Sequence, residues 1–319
     1  MLVKNLLTPL TGAFCGIGFA FLLVLFLLKK AARFLPHDIG REFAHNGALS
    51  AGKPRGAGLL FVLAFVAAAL LFLPFTVENL IYLLLLIAAM MTGYLDDGAK
   101  TPWGEYKKGL LDLIIAVVTA VTFLNFNEPT ITLNIINTVV TLPKVVFGIL
   151  IVVLVWTSIN VTNCADGVDG LSATVTVITL LGFWAVMLAA DTASLFRGMI
   201  PVFCAALAAY LCYNASPSKL LMGDAGSRAM GLFIALAALR SGSPLLYLLC
   251  ALVLILDGGL GLLKVSLLRF LKIRILKNVR TPIHDHVRKN MGWSDPQTVM
   301  RFAVLQAACC VLALYFVLV

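Results

Sequence analysis

The chain has 319 residues, of which 61% are hydrophobic and only 12% are charged. A soluble globular domain carries about 25% charged residues, so this composition excludes one. The formal net charge of +9 does not indicate a nucleic-acid partner in so apolar a chain, because basic residues in membrane proteins collect in the loops that set orientation.

The apolar residues form continuous runs, which excludes an alternating membrane β-barrel and predicts membrane helices. We predict an all-α polytopic membrane protein, a single domain over residues 1–319, with about ten transmembrane helices. Between the fourth and fifth spans, the segment Asn125–Val140 contains Pro129 and alternating β-branched residues, which predicts one short extracytoplasmic β-hairpin. The ten spans are predicted, within a few residues at each edge, at about 11–28, 57–74, 79–95, 109–124, 143–162, 170–190, 196–213, 226–240, 244–268 and 300–318.

The basic residues predict the orientation. With ten spans, the loops after the odd-numbered spans share one side of the membrane. Of the 24 Lys and Arg residues, 20 lie in those loops or in the adjoining helix ends. By the positive-inside rule these loops are cytoplasmic, and both termini are extracytoplasmic.

The first acidic motif, Gly93-Tyr94-Leu95-Asp96-Asp97, ends the third span on the predicted cytoplasmic side. Adjacent carboxylates repel each other unless a cation lies between them. Mg²⁺ is the natural candidate, since it binds a few carboxylates together with phosphate oxygens and water. The alternative is a solvated helix end, which the helix dipole disfavours for Asp at a C-terminus.

The second motif runs from Asn163 to Leu171 and opens into the sixth span. Asp166 and Asp169 are three residues apart and would face the same way on a helical turn. The helix that begins behind Gly170 offers free backbone N–H groups suited to phosphate. The alternative is that Asp169 is only an N-cap.

The third motif, Met222-Gly223-Asp224-Ala225-Gly226-Ser227, opens into the eighth span. Asp224 is predicted to be a metal carboxylate that completes a cluster with Asp96 and Asp97. An N-cap role for Asp224 is the alternative.

The most basic predicted loop contains Thr281-Pro282-Ile283-His284-Asp285-His286. Two His at positions i and i+2 do not share a helix face, which disfavours a helical zinc pair. We expect this loop to bring His284 or His286 to a diphosphate as a hydrogen-bond donor, with ordinary surface histidines as the alternative.

Asp257 lies inside the predicted ninth span and is followed by Gly258 and Gly259. An intramembrane Asp is costly, which predicts a functional role. A structural role, in a pair with Lys264 or with a neighbouring helix, is equally open. The two glycines favour a loosened or bent helix at this point.

These motifs, in this order, resemble those of the polyprenyl-phosphate N-acetylhexosamine-1-phosphate transferases of bacterial membranes. The segment P-I-H-D-H, followed by Gly292-Trp293-Ser294, is similar to the phospho-N-acetylmuramoyl-pentapeptide transferase branch, as is the loop from His45 to Gly58. The resemblance implies transfer of phospho-N-acetylmuramoyl-pentapeptide from its UDP donor to undecaprenyl phosphate. It implies lipid I and UMP as products, Mg²⁺ as cofactor, and a multi-pass protein of the bacterial plasma membrane whose site faces the cytoplasm. A homodimer is left open.

The resemblance also implies roles for individual residues. Asp96, Asp97 and Asp224 fall on the catalytic carboxylates, and Asp97 and Asp224 on the metal ligands. The residues that fall on the nucleotide and diphosphate site are Asn163, Asp166, Asp169, Gly170, Lys100, His284 and His286.

The chain departs from the family pattern at three places. Asp285 replaces the middle one of three consecutive histidines. The loop near Ser50 lacks a Lys that the family often has there, and Lys53 is the nearest substitute. Leu221 stands where many members have an aromatic residue.

In the implied reaction, Mg²⁺ neutralises the donor diphosphate and the departing UMP. Asp96 accepts a proton from the lipid phosphate or positions it. A two-step route through an Asp nucleophile remains an alternative. Two other functions are weighed: transfer of N-acetylglucosamine-1-phosphate to a polyprenyl phosphate for another surface polymer, and ion-coupled transport. Transport is disfavoured because the carboxylates lie at the membrane boundary and the sequence has no internal repeat.

Overall fold

The computed structural model describes residues 9–38, 40, 50–74, 76–99, 101–192 and 195–319. Lys100 and His45 lie outside these residues. Helices make up most of the described chain. They are α1 (Pro9–Ala31), α2 (Gly58–Phe72), α3 (Val77–Asp97), α4 (Glu105–Phe126), α5 (Lys144–Cys164), α6 (Leu171–Ala189), α7 (Met199–Asn214), α8 (Gly223–Arg240), α9 (Tyr247–Cys250), α10 (Leu252–Leu254), α11 (Leu260–Ser266), α12 (Ile283–Met291) and α13 (Asp295–Leu318).

The predicted hairpin is present as two short strands, β1 (Thr130–Leu133) and β2 (Thr138–Thr141). They pair antiparallel, with Thr130 opposite Thr141. The turn between them contains Asn137 at φ 46°, a left-handed conformation that Asn tolerates better than most residues. The prediction of a single small hairpin is therefore confirmed.

Every predicted span falls on a helix, but not every helix meets the length and hydropathy expected of a span. Seven helices in the described part of the chain do, and a bent pair would make an eighth. The helix α2 has only 15 residues and is about 22 Å long, short of the roughly 30 Å of a bilayer core. The structure thus establishes a multi-pass helical membrane protein with seven to eight candidate spans, and the number ten stays a prediction.

Helix α8 is the centre of the bundle. It packs against α2, α3, α5 and α6, and all its residues except Arg240 are buried. Because protein rather than lipid surrounds it, α8 can carry three charged residues, which is why hydropathy alone does not identify it as a span. Phe65, Phe203 and Phe233 pack against one another beside it, with ring centroids 4.4 to 5.3 Å apart.

The bundle has two ends, which α8 connects. The site end contains the start of α8 at Asp224, and the hairpin end contains its last residue, Arg240. Strand β1 lies at the hairpin end, where the Thr132 N–H donates to the Gly242 carbonyl oxygen at 3.1 Å. At the same end, Val319 accepts a hydrogen bond from Asn137 at 3.4 Å.

The predicted ninth span is broken. Helical segments Pro244–Cys250 and Leu252–Leu271 meet at an angle of 67°. At the break, Gln306 of α13 accepts a hydrogen bond from the Val253 N–H at 2.9 Å and donates to the Cys250 carbonyl oxygen. Gln306 therefore satisfies backbone groups that the break removes from the helix. The Gly258–Gly259 pair lies further along, in the π-helical turn Ile255–Gly259.

One predicted loop is a helix. The segment of His284 and His286 forms α12, whose N-cap is Pro282 and whose C-cap is Gly292 at φ 69°. A Pro before the first turn and a left-handed Gly after the last are ordinary helix boundaries. The expectation of a loop was wrong because the many basic residues of this segment obscured those two signals.

Candidate active site

Residues 54–57, just before α2, lie beside the start of α8. The Leu221 N–H donates to the Pro54 carbonyl oxygen at 2.8 Å, and the Leu221 carbonyl oxygen accepts from Ala57 at 3.0 Å. This short parallel pairing places Arg55 next to Asp224. The backbone of Leu221 thus helps to build the site, whatever its side chain contacts.

Asp97 joins α3 to α8. Its Oδ1 accepts the Asp224 N–H and its Oδ2 accepts the Ala225 N–H, both at 3.1 Å. These are two of the backbone donors that a helix start leaves without an intrahelical partner. Gly223 precedes them at φ 67°, and a Cβ there would collide with the Asp97 carboxylate. The chain therefore brings Asp97 and Asp224, distant in sequence, into direct contact.

Arg55 binds three carboxylates. Its Nε lies 2.9 Å from Asp97 Oδ1, its Nη1 lies 3.2 Å from Asp38 Oδ1, and its Nη2 lies 3.4 Å from Asp224 Oδ1. Burial would lower the pKa of Arg55, but the charges of Asp97, Asp224 and Asp38 outweigh burial and raise the pKa above its ordinary value. Arg55 is therefore a permanent cation at the centre of the site.

Lys108, in the first turn of α4, links the other carboxylates. Its Nζ forms an ion pair with Asp96 and lies 3.1 Å from Asp224 Oδ2. The second oxygen of Asp96, Oδ1, accepts the Trp103 N–H at 2.7 Å. We call Asp96, Asp97 and Asp224 the carboxylate cluster, and the two cations Arg55 and Lys108 offset part of its negative charge.

A buried ion pair lies below the carboxylate cluster. Arg228 of α8 is 3.3 Å from Asp112 of α4 and 4.0 Å from Asp224. The Arg228 guanidinium also donates to Thr92 of α3 at 3.2 Å. Since all three helices contribute, this pair fixes how α3, α4 and α8 meet beneath the site.

A cavity of about 650 Å³ opens beside the carboxylate cluster. Arg55 and Gly223 form the wall between the two, so the cluster lies just behind the cavity surface. The other lining residues are Asp38, Ser50, Lys53, Cys164, Asp166, Gly167, Val168, Asp169, Asn214, Ser216, Pro217, Ser218, Leu221, Met222, Thr281, Pro282, His284, Asp285, Arg288 and Asp295.

Some residues of the second motif line the cavity, and others form contacts inside the protein. Asp166 and Asp169 line the cavity. Asp169 accepts the Ser218 N–H at 2.8 Å and lies 3.8 Å from Lys53. The N-cap of α6 is Gly170 and no side chain caps this helix, so the alternative that Asp169 is only an N-cap was wrong. Lys53, the nearest substitute for the missing family Lys, therefore reaches the cavity.

Asn163 and Gly170 instead form hydrogen bonds within the protein. Asn163 donates to the Ser227 hydroxyl of α8 at 2.9 Å. The Gly170 N–H donates to Asn214 Oδ1 at 2.9 Å, so it is engaged within the protein. The assignment of both residues to substrate stays a prediction.

The two histidines of α12 have different surroundings. His284 lines the cavity and is 2% exposed. Its Nδ1 lies 2.8 Å from Asp257 Oδ2. His286 lies away from the cavity wall, and its Nδ1 accepts the Arg280 N–H at 3.3 Å. The alternative pairing of Asp257 with Lys264 was wrong, because Lys264 donates to the carbonyl oxygens of Leu276 and Val279.

The carboxylate cluster has the donor chemistry that Mg²⁺ takes, although within the described residues no three His, Cys, Asp or Glu side chains form a ready-made cage. Mg²⁺ commonly uses one or two carboxylates, with phosphate oxygens and water completing its shell. Each carboxylate oxygen has two lone pairs. Asp97 Oδ2 and Asp224 Oδ1 each engage one donor, so each retains a lone pair for a cation.

Sequence reasoning missed Arg55 and Lys108 as site residues and treated them only as markers of orientation. A signal existed for Lys108, because it lies one short loop after Asp97 at the same membrane boundary. For Arg55 the signal was weaker, since its contact with α8 depends on the backbone pairing with Leu221.

The sequence is similar to those of known proteins, and this similarity shows the family to which the chain belongs. The profile described as glycosyl transferase family 4 matches residues 79–242, which include the carboxylate cluster and the second motif. The phospho-N-acetylmuramoyl-pentapeptide-transferase of Treponema pallidum (strain Nichols) is 42% identical over 298 residues, covering 88% of this chain and 82% of that protein. The chain belongs to the phospho-N-acetylmuramoyl-pentapeptide-transferase family.

Two further relatives of the same name extend this similarity along the chain. The protein of Clostridium botulinum (strain Eklund 17B) is 30% identical over 335 residues, with 97% of each chain covered. That of Chlamydia caviae is 27% identical over 328 residues, covering 93% of this chain and 92% of its own length. Family membership therefore applies to the chain as a whole, including α1, α12 and α13.

Proposed function

We propose that the protein transfers phospho-N-acetylmuramoyl-pentapeptide from its UDP donor to undecaprenyl phosphate, giving lipid I and UMP. The observation that carries the proposal is the 42% identity to a transferase of that name over 88% of the chain. The cavity supports it physically, because a pocket of about 650 Å³ with charged side chains in its lining, at a helix-bundle end, suits a nucleotide donor better than a small ion.

We propose that Asp224, with Asp97, holds Mg²⁺ through the lone pairs that the protein contacts leave available. When bound, Mg²⁺ would neutralise the donor diphosphate and the UMP that departs. Arg55 and Lys108 hold the same carboxylates in place, and these two positive charges leave one of the three negative charges of the cluster for a metal ion to offset.

In the transfer, an oxygen of the lipid phosphate forms a bond to the β-phosphorus of the donor, and the bond from that phosphorus to the UMP oxygen breaks. We assign Asp96 to accept a proton from the lipid phosphate or to position it. Asp97 is less suited to that task, because it anchors the start of α8 and is proposed to be a metal ligand. The ion pair with Lys108 and the hydrogen bond from the Trp103 N–H hold the Asp96 carboxylate in a fixed position.

We propose that the site end faces the cytoplasm and that both termini are extracytoplasmic. Three of the four basic residues outside the predicted cytoplasmic side are Lys144, Arg197 and Arg240. Lys144 follows the hairpin directly and Arg240 ends α8, in agreement with an extracytoplasmic hairpin end. The basic surplus at the other end would attract the anionic donor and acidic lipid headgroups.

A direct assay tests this function. Purified protein receives UDP-N-acetylmuramoyl-pentapeptide with and without undecaprenyl phosphate and Mg²⁺, and released UMP is measured. We expect UMP only when donor, lipid phosphate and Mg²⁺ are all present, and much less from UDP-N-acetylglucosamine. Equal release from both donors would contradict the proposed donor, and release without lipid phosphate would contradict the proposed acceptor.

A further inference from the structure

Asp257 is a buried carboxylate outside the carboxylate cluster. It is 2% exposed and lies in the π-helical turn Ile255–Gly259 of the broken ninth span. Single π-helical turns inside α-helices are rare and occur often at functional sites. The contacts of Asp257 are therefore the feature of this turn that bears on function.

Asp257 binds one residue twice. Its Oδ1 accepts the His284 backbone N–H at 2.7 Å, and its Oδ2 lies 2.8 Å from His284 Nδ1. The first contact fixes the start of α12, and the second fixes the imidazole ring. Since a carboxylate only accepts hydrogen bonds, Nδ1 must carry the proton.

The opposite edge of the ring faces the second motif. Gly167 lies so close to His284 Nε2 that a Cβ at position 167 would collide with the ring. Gly167 and His284 both line the cavity, as do Asp166, Asp169 and Arg288, and Arg288 Nη1 donates to the Gly167 carbonyl oxygen at 3.4 Å. With Nδ1 committed to Asp257, Nε2 is the ring nitrogen that remains for a molecule in the cavity.

We infer that Asp257 is a positioning residue for binding of the nucleotide diphosphate. It fixes the plane of the His284 imidazole and keeps the ring proton on Nδ1, so that the lone pair of Nε2 accepts a hydrogen bond from a hydroxyl or N–H group of the nucleotide at the Gly167 edge of the cavity. A carboxylate behind a functional histidine acts in this way in many sites, where it selects the tautomer and prevents ring rotation. The inference rests on the proposed function, because it assumes a nucleotide diphosphate in this cavity.

The test uses the full-length protein in detergent and two readouts. The first is binding of UDP, measured by isothermal titration calorimetry with no turnover required. The second is UMP release, with separate KM values for the donor and for undecaprenyl phosphate. Asp257→Asn preserves the size of the side chain, but its amide cannot accept from both His284 donors at once. Asp191→Asn, at an exposed residue of the hairpin end, is the matched control.

We expect Asp257→Asn to weaken UDP binding and raise the donor KM by about tenfold or more, the size of one lost charge-assisted hydrogen bond. The KM for undecaprenyl phosphate should change little, whereas the unfolding temperature should fall because one buried His284 donor loses its partner. Gly167→Ala should weaken UDP binding as well, because it displaces the same ring from its other side. In a His284→Gln background, Asp257→Asn should cause no further loss of UDP affinity, because the effects of substitutions at two coupled residues are not additive.

Three results would overturn the inference. One is an Asp257→Asn protein that binds UDP as tightly as the wild type. Another is an Asp257→Asn substitution that weakens UDP binding as much in the His284→Gln background as it does in the wild type. The third is an absence of UDP binding by the wild type. Failure of the proposed function looks different: the wild type binds UDP but releases no UMP from the muramoyl donor.

Discussion

Lys108 shows at the scale of single residues how the site balances its charges. It is the one described cation that contacts both Asp96 and Asp224. Without it, Asp96 loses its ion-pair partner and Asp224 loses one of its cationic contacts, so the geometry of both carboxylates is less fixed. Lys108→Met should therefore lower kcat/KM for UMP release by roughly a hundredfold, the value of a lost contact between charged groups.

The control for this prediction is the preceding residue. Lys107 is exposed, and its Nζ lies 3.3 Å from the ring centroid of Trp103, so Lys107→Met should leave turnover nearly unchanged. Equal losses in the two variants would indicate that Lys108 acts only through the general charge of the loop.

Gly223 is predicted to be required for the contact between Asp97 and the start of α8. Its φ of 67° disfavours any side chain, and a Cβ would strike the Asp97 carboxylate. Gly242 is the matched control, because it has a φ of 76° but open space around its Cβ position. Both Ala variants should lose roughly 1–2 kcal/mol of stability from the left-handed backbone, measured by thermal unfolding. Only Gly223→Ala should also abolish UMP release, and full turnover in that variant would separate the Asp97 contact from catalysis.

At the scale of helices, Gln306 gives the break in the ninth span a testable explanation. Its side-chain bonds to Val253 and Cys250 replace backbone bonds that a continuous helix would make. Inside a membrane such groups find no water. Gln306→Leu should lower the free energy of unfolding by roughly 2–4 kcal/mol, since two buried polar groups lose their partner. Thermal unfolding in detergent measures this.

Leu305, its neighbour on α13, is exposed to the lipid side and serves as the control. Leu305→Ala should shift the melting temperature far less than Gln306→Leu. An equal shift in the two variants would show that the break does not depend on Gln306.

The helices were predictable to different degrees. Apolar runs identify helices that face lipid, such as α1 and α13, because lipid demands such composition along the whole length. The bend at Ala251 was not predictable from Gly258 and Gly259, since it depends on Gln306, a residue from another helix. Helix α12 was missed for the reason given above, although Pro282 and Gly292 mark its two ends.

At the scale of the whole molecule, the sequence predicted which motifs meet. Acidic motifs at helix ends on one membrane side must converge when the helices form one bundle, and Asp97 and Asp224 do so. The sequence could not show that Arg55 stands between the carboxylate cluster and the cavity, because backbone pairing with Leu221 places it there. The roles assigned to Asn163, Gly170 and Lys100 stay predictions, as does a homodimer.

The orientation of the protein in the membrane can be tested with reporter fusions. Alkaline phosphatase fused after Val319 should be active, because the hairpin end is proposed to be extracytoplasmic, and a fusion after Lys277 should be inactive. A green fluorescent protein fused at the same two positions should give the opposite pattern. Activity of the phosphatase after Lys277 would place the carboxylate cluster outside the cell, away from any UDP donor.

We propose above all that the carboxylate cluster performs a Mg²⁺-dependent transfer. The most direct test is UMP release by purified Asp224→Asn protein across a range of Mg²⁺ concentrations, with Asp191→Asn as control and unfolding temperatures measured for both. We expect Asp224→Asn to lose at least about a hundredfold in turnover, as enzymes do when one group that stabilises transition-state charge is removed, while its fold remains intact. Turnover near that of the wild type in a folded Asp224→Asn protein would contradict the claim.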